Sequence, residues 1–160
     1  MFLHLLRHAH AGDPERWDGP DAARPLSPKG RAQAEALSAH LAGIGFTTDA
    51  ILTSPKVRAR ETAEIVAAHL SLTIAIDDRL GGGADLRTIE AILDDAGDPG
   101  APVLVGHDPD FSDLVAELCG QGSTPMRKGA FARIEAGRPL RPGSGTLRWL
   151  LPPDAIRPGR

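Results

Sequence analysis

Short apolar runs alternate with longer amphipathic segments along most of the chain. We predict four strands from these runs, over residues 2–7, 50–53, 73–76 and 101–105. Between and after them, apolar residues recur at helical spacing and predict helices over 28–44, 55–70 and 86–96, and a fourth that carries Phe111 to Leu118. Three of these helices open on a cap residue followed by proline, at Ser27-Pro28, Ser54-Pro55 and Asp108-Pro109.

The final third of the chain departs from this alternation. Two strand-like runs, over 130–134 and 146–151, flank the turn-rich segment GRPLRPGSG and predict an antiparallel hairpin at the sheet edge. We therefore expect an α/β protein, a three-layer α/β/α sandwich whose sheet is mostly parallel and ends in a C-terminal antiparallel hairpin. The 160 residues suffice for one core without disulfides, so we expect a single domain over 1–152 and a loose C-terminal tail over 153–160.

Composition narrows the range of partners. The formal net charge is −3, the isoelectric point is near 6.0 and aromatic residues make up 4% of the chain. Because nucleic-acid binding needs a basic surface and usually stacking rings, we expect no nucleic-acid partner. No apolar stretch could span a bilayer and no signal-peptide pattern is present, so we expect a cytoplasmic protein without a membrane partner. Cys119 lies in an apolar helical stretch and is expected to be a small core residue.

Candidate chemistry follows three of the predicted strands at the point where each strand ends. Arg7-His8 follows the first strand, the segment from Ser54 to Arg60 follows the second, and Gly106-His107 follows the strand over 101–105. If these strands are parallel neighbours, the three segments converge on one edge of the sheet, where ligands bind in α/β proteins. Neutral imidazole is a nucleophile near pH 7, and guanidinium matches the geometry of phosphate oxygens. The pattern therefore indicates phosphoryl chemistry.

These residues resemble the histidine phosphatase superfamily. The resemblance is carried by LLRHAHAG with Arg7 and His8, by SPKVRARET with Arg58, and by LVGHDP with His107. RPLSPKG adds Arg24, and the closing LRWLLPP extends the likeness over essentially the whole chain. Within the superfamily the chain is most similar to the short SixA-type phosphohistidine phosphatases, which implies a phosphoglycerate mutase-like fold without a large cap domain.

The resemblance implies a set of roles. His8 would attack phosphorus and form a phosphohistidine intermediate that water hydrolyses, while Arg7, Arg58, His107 and Arg24 would hold the phosphate oxygens. His8 must be neutral, and we expect the nearby arginines to lower its pKa; His107 is expected to be protonated and to donate to phosphate. No metal and no cofactor are expected.

Two departures from the superfamily pattern bear on the substrate. Ala9 follows the catalytic pair where many members have glycine, which matters if that position has a positive φ. The glutamate that protonates the leaving oxygen in ester-cleaving members has no counterpart, since that region reads DDRLGGGADLR. Asp85 is the candidate substrate contact there, with Asp77 and Asp78 nearby. Because an imidazole leaves more easily than an alkoxide, the missing glutamate favours a phosphohistidine substrate.

Three functions stay open on the sequence. The preferred one is a metal-independent phosphatase that removes phosphate from a phosphohistidine-containing protein. The alternatives are a general phosphomonoesterase acting on a small phosphorylated substrate and a non-catalytic phosphate-binding module. The oligomeric state is left open.

Several polar residues have simpler explanations than catalysis. We expect His4 to be a core histidine, Ser54 to be a helix cap, and Asp21 to be solvated like Asp13 and Asp18. His10 is expected to lie in a surface loop beside the pocket, where a contact with substrate is the alternative.

Overall fold

The computed structural model describes residues 1–157 and contains the predicted alternation of strands and helices. The strands are β1 (Phe2–Arg7), β2 (Ala50–Thr53), β3 (Ala75–Ile76), β4 (Pro102–Gly106), β5 (Phe131–Glu135) and β6 (Thr146–Leu151). The helices are α1 (Pro28–Gly43), α2 (Val57–Leu70), α3 (Leu86–Asp95) and α4 (Asp110–Cys119). Short 3₁₀ turns lie at Pro14–Arg16, Asp21–Ala23, Asp78–Gly81 and Pro153–Ala155.

The strands form one sheet in the order β3-β2-β4-β1-β5-β6. The four strands from β3 to β1 are parallel, whereas β5 runs antiparallel to β1 and β6 runs antiparallel to β5. The mostly parallel sheet and the C-terminal hairpin at its edge are therefore confirmed. The strand predicted over 73–76 shortens to the two exposed residues of β3, which pair with β2 on one side only.

Side chains on successive strand residues enter two separate hydrophobic layers. Leu3 and Leu5 of β1 face the layer that is completed by α3 and α4, together with Leu104 of β4. Leu6 faces the layer that is completed by α1 and α2, together with Val105 of β4. The period of two is the one expected for a strand with helices on both faces. The three-layer α/β/α architecture is thus confirmed, and no large cap domain interrupts it.

The predicted helix starts, each a cap residue followed by proline, are only partly confirmed. Ser27 caps α1, since its hydroxyl accepts a hydrogen bond from the Gly30 amide at 3.1 Å. The prediction that Ser54 caps α2 is wrong: the helix begins at Val57 with Lys56 as its N-cap, and Ser54 stays in the turn that follows β2. Asp108 lies one residue before the N-cap of α4, although its carboxylate still accepts from the helix.

The segment after β6 is partly attached to the domain. Ile156 is buried against the layer formed by α1 and α2, so this part of the segment predicted to be a loose tail packs on the core. Residues 158–160 of that predicted tail lie outside the described residues. Cys119 is half-buried at the margin of the other layer, and burial raises the pKa of its thiol. Over residues 1–157, none of the helices has both the length and the apolar character that crossing a membrane requires.

Candidate active site

Three polar turns meet at the carboxyl edge of the sheet because β2, β4 and β1 are adjacent and parallel. Arg7 is paired in register with Gly106, and Thr53 is paired with Val105. The backbone continues these ladders one residue further: the His8 amide donates to the Gly106 carbonyl at 3.0 Å. The segments singled out in the sequence therefore lie side by side at the end of the sheet.

His8 is almost completely buried in this site. Its Nδ1 lies 2.8 Å from the carbonyl oxygen of Ala9, which fixes the tautomer with the proton on Nδ1 and leaves the lone pair on Nε2. Burial, with the charges of His107, Arg58 and Arg7 adding to it, lowers the pKa of His8 to about 3. The arginines thus act in the expected direction, but burial is the larger cause. A neutral ring with a free Nε2 is the form a nucleophile needs.

The second histidine lies beside the first. The ring centroids of His8 and His107 are 5.1 Å apart. Burial and the charges of Lys56 and Arg58 lower the pKa of His107 to about 3, whereas the expected role of donor to phosphate requires the protonated ring. Its Nε2 lies 2.7 Å from the hydroxyl of Ser54, which also accepts a hydrogen bond from the Lys56 amide at 3.2 Å.

Three guanidinium groups surround the histidines. Arg58, from the first turn of α2, and Arg24, from the loop before α1, are both buried. Arg7 is half-buried, and its Nη1 donates to the Met126 carbonyl at 2.7 Å and lies 3.2 Å from the Asp108 carboxylate. Within residues 1–157 the Nε atoms of all three arginines are buried without a hydrogen-bond partner. Buried donors left unused in this way are suited to an anion with several acceptor oxygens.

Asp21 is a member of the site that the sequence did not identify. Its carboxylate accepts from Arg58 Nη2 at 2.9 Å and from Arg24 Nη2 at 3.3 Å. Burial acts in the opposite direction, but hydrogen bonds and charge from Arg58 and Arg24 hold the pKa of Asp21 below its ordinary value. The expectation of a merely solvated aspartate is therefore wrong. Nothing in the loop sequence distinguishes it from Asp13 or Asp18, because the contact depends on how the loop folds back over α2.

Ala9 contributes its backbone to the site. Its carbonyl orients His8, and its amide donates to the Thr62 hydroxyl at 3.2 Å. Among the non-glycine residues in the described part of the chain, positive φ values occur at Ser71 and Asp98, so the turn at Ala9 does not require glycine. The departure from the superfamily pattern is therefore compatible with the geometry.

The carboxylates considered as a general acid have other partners. Asp85 caps α3, since it accepts from the Thr88 amide at 2.8 Å and from the Thr88 hydroxyl at 2.7 Å. It opens on a groove formed by α3, α4 and the β5–β6 connection, whose lining contains none of the arginines or histidines of the site. Asp77 is held in an ion pair with Arg79 at 2.6 Å. The structure thus leaves these carboxylates in structural roles.

Two further histidines differ in their relation to the site. His4 is buried in the core between the rings of Phe46 and Phe131, and burial lowers its pKa to about 4. His10 is half-buried in the loop after β1, where its Nδ1 lies 2.6 Å from the Ser27 hydroxyl. It lines a groove that begins at Arg7, so it lies beside the site rather than in it.

Residues 1–157 contain no cluster of three or more His, Cys, Asp or Glu side chains arranged to hold a metal ion. The charged groups that converge at the sheet edge are instead guanidinium groups around two neutral imidazoles. A nucleophilic nitrogen next to unused cationic donors, at the carboxyl edge of a parallel sheet, defines a phosphoryl-transfer site.

Comparison with known proteins agrees with this description. Residues 3–82 match the family model described as histidine phosphatase superfamily, branch 1. The phosphohistidine phosphatase SixA of Escherichia coli K12 is 30% identical over 162 aligned residues, which cover 98% of this chain and 97% of that protein. The chain belongs to the histidine phosphatase superfamily, as its motifs predicted, and the fold and site support phosphatase activity.

Two other relatives widen the comparison. The structure of the protein histidine phosphatase SixA complexed with tungstate superimposes with a TM-score of 0.82 and 26% identity, covering 96% of this chain and 98% of that one. The 8-oxo-(d)GTP phosphatase of Mycolicibacterium smegmatis is 34% identical over 135 residues, which cover 79% of this chain and 41% of that protein. The superfamily therefore includes relatives whose named substrates differ in kind.

Proposed function

We propose that this protein removes phosphate from phosphohistidine on a protein, through a phosphohistidine intermediate on His8. The observation that carries the proposal is the fixed tautomer of His8: its Nδ1 faces the Ala9 carbonyl at 2.8 Å, so the Nε2 lone pair is available to phosphorus. The likeness to SixA proteins supports the substrate class.

The reaction consists of two displacements at phosphorus. In the first, the Nε2 lone pair of His8 forms a bond to phosphorus while the P–N bond of the substrate breaks, and the departing imidazole takes up a proton from solvent. In the second, water attacks the phosphorus of phospho-His8, the Nε2–P bond breaks, and orthophosphate and a proton are released. Arg7, Arg24 and Arg58 neutralise the phosphoryl oxygens throughout.

The carboxylates next to the site favour an activated leaving group. Asp21 is paired with Arg58 and Arg24, and Asp108 is paired with Arg7. Although burial acts in the opposite direction, hydrogen bonds and charge from Arg58 and Arg24 hold the pKa of Asp21 below its ordinary value, so this carboxylate is a poor proton donor to an alkoxide. An imidazole needs less assistance, because it departs as a weakly basic neutral molecule once protonated. The site is therefore better matched to a phosphoramidate than to an alkyl ester.

The test is phosphate release, in EDTA, from a histidine-phosphorylated protein and from glycerol phosphate under identical conditions. We expect kcat/KM to favour the phosphoramidate by at least about a hundredfold, a difference of roughly 3 kcal/mol in activation free energy. His8→Ala serves as the blank for non-enzymatic loss of the labile phosphate. Comparable or faster cleavage of the ester would contradict the proposal.

A second candidate is a phosphatase for small molecules. The observation that favours it is the likeness to the 8-oxo-(d)GTP phosphatase, although this chain spans less than half of that protein. Nucleoside di- and triphosphates, added to the same assay, separate the two candidates by their kcat/KM. A non-catalytic phosphate-binding module is disfavoured by the free lone pair on His8 Nε2, since binding alone does not need a nucleophile.

A further inference from the structure

A groove of about 500 Å³ opens beside the active site and shares Arg7 with it. Its other charged lining residues come from separate parts of the chain: Lys29 from α1, Arg127 and Lys128 from the turn before β5, and Asp154 from the segment after β6. Four cationic side chains thus face one carboxylate in a protein whose net charge is −3. The groove is a local concentration of positive charge next to the nucleophile.

The positive charge of the groove is poorly compensated. Arg127 and Asp154 approach to 3.3 Å, but their side chains are 72% and 68% exposed, and an ion pair so exposed contributes little. Neither Lys29 nor Lys128 forms an ion pair with any residue in 1–157. Burial and the charges of Arg7, Arg24 and Arg58 lower the pKa of Lys128. An anion bound here would relieve this repulsion.

The position of Lys29 is unfavourable for the fold. It is the second residue of α1, where the exposed amides of the helix N-terminus favour an acidic side chain over a cation. The exposed side chain lines the groove instead of finding a partner. Helix stability therefore does not account for a cation at this position.

The groove is held rigidly against the nucleophile. The Gly129 amide donates to the carbonyls of both Arg7, at 3.1 Å, and His8, at 2.9 Å, so the turn with Arg127 and Lys128 is fixed to the end of β1. On the opposite side, a Cβ at Gly30 would lie 1.9 Å from the His10 carbonyl oxygen, so α1 can approach the catalytic loop only because residue 30 is glycine. The backbone segments that carry these cations are therefore anchored on both sides of the catalytic loop.

We propose that this groove binds acidic side chains next to the phosphohistidine of a protein substrate, with Lys29 and Arg127 as its outer contacts and Lys128 nearest the phosphate. This inference rests on the proposed function and adds the property by which the substrate is selected. The cations of the groove come from three parts of the chain, and two of these cations, Lys29 and Arg127, are exposed. This arrangement fits an extended acidic segment. Such charge complementarity accelerates association and makes it dependent on salt.

The kinetic test uses two synthetic peptides that each carry one phosphohistidine, flanked by glutamates in one and by glutamines in the other. We expect the wild-type protein to favour the glutamate peptide by about tenfold in kcat/KM at low salt, and by much less at about 0.5 M salt. Lys29→Gln/Arg127→Gln should bring the ratio to within about twofold of unity. Arg141→Gln, which removes an exposed cation from the distant β5–β6 connection, should keep the wild-type ratio. Equal rates for both peptides in the wild-type protein would overturn the proposed role of the groove and leave the proposed function intact.

A binding experiment distinguishes failure of the proposed role of the groove from failure of the proposed function. Fluorescence anisotropy measures the affinity of the wild-type protein and both variants for the unphosphorylated, labelled glutamate peptide. We expect binding that weakens about tenfold in Lys29→Gln/Arg127→Gln and is retained in Arg141→Gln. If neither phosphohistidine peptide is hydrolysed, the proposed function fails, and this binding measurement alone tests whether the groove binds acidic side chains. Unchanged binding in the double variant would then overturn the proposed role of the groove.

Discussion

Arg58 donates hydrogen bonds to Asp21 from both of its terminal nitrogens: Nη1 donates to the backbone carbonyl at 2.8 Å and Nη2 donates to the carboxylate at 2.9 Å. The same carboxylate reaches Arg24. A protein carboxylate therefore satisfies two of the guanidinium groups that are assigned to phosphate in the proposed function. A bound phosphate and Asp21 compete for the same positive charge.

Replacing Asp21 tests this competition. Asp21→Asn removes a negative charge next to Arg58 and Arg24, so we expect inorganic phosphate to bind about three- to tenfold more tightly. The measurement is the inhibition constant of phosphate at pH 7, with Asp18→Asn as a control in the same loop that lacks the arginine contact. Weaker phosphate binding in Asp21→Asn would mean that the carboxylate orients the arginines instead of competing with the ligand.

Substitution of His8 and substitution of the arginines should have different effects on phosphate binding and on turnover. His8→Ala removes the nucleophile, so we expect turnover to fall by at least about a thousandfold while phosphate affinity stays largely intact. Arg7→Ala and Arg58→Ala should weaken both quantities, because they remove charge from the bound and reacting phosphate alike. Kinetics and phosphate binding by calorimetry measure the two effects. Full activity in His8→Ala would exclude the covalent route.

Ser54 should act through His107. Its hydroxyl lies 2.7 Å from His107 Nε2, so Ser54→Ala leaves the ring free to rotate and should lower kcat about tenfold with a smaller change in KM. Ser54→Thr, which keeps the hydroxyl, should recover part of kcat. The exposed loop variant Ser144→Ala is the control. A change confined to thermal stability, with kcat unchanged, would indicate a purely structural serine.

Three buried histidines predict a specific loss of stability in mild acid. Burial is the main cause of the lowered pKa values of His8 and His107, about 3, and of His4, about 4, against an ordinary value of 6.5. Between these values the unfolded chain binds protons that the folded chain does not. Stability is therefore complete above about pH 6.5 and falls as pH decreases, with a limiting slope of about 1.4 kcal/mol per pH unit for each histidine.

Urea unfolding between about pH 7 and pH 5 measures this slope, in a window above the ordinary range of the carboxyl groups. His4→Leu removes one of the three histidines without touching the site and should reduce the slope by about one third. A free energy of unfolding that is constant across the window would show that these rings are protonated in the folded protein.

Lys29 gives a prediction about stability alone. Lys29→Glu places an acidic side chain at the N-terminus of α1 and should raise the free energy of unfolding by about 0.3–1 kcal/mol. Because the side chain at position 29 is exposed, the substitution alters no buried contact, and thermal unfolding measures the interaction of the new charge with the helix N-terminus. Arg141→Glu, which changes the net charge equally, is the control. A lower melting temperature in Lys29→Glu than in the control would contradict the assignment of this lysine to a use other than stability.

The sequence predicts those parts of the site that depend on where strands end. Arg7, His8 and His107 each follow an apolar run, and parallel pairing brings such ends together whatever the loops do. Asp21 and Ser54 were misjudged because their partners are distant in sequence: one lies on a loop that folds back over α2, and the other meets a histidine 53 residues away. The neutral state of His107 depends on burial, which local sequence does not reveal.

The central position of β1 has a consequence for how the protein acquires activity. Strand β1, which ends at Arg7 next to His8, has β4 on one side and β5 on the other, and the turn before β5 donates a hydrogen bond to the carbonyls of both residues. The segment that carries His8 is therefore held in place by residues that lie far from it in the sequence. We expect a chain that stops before Phe131 to leave one edge of β1 unpaired and to lack phosphatase activity, although it keeps Arg7, His8 and His107.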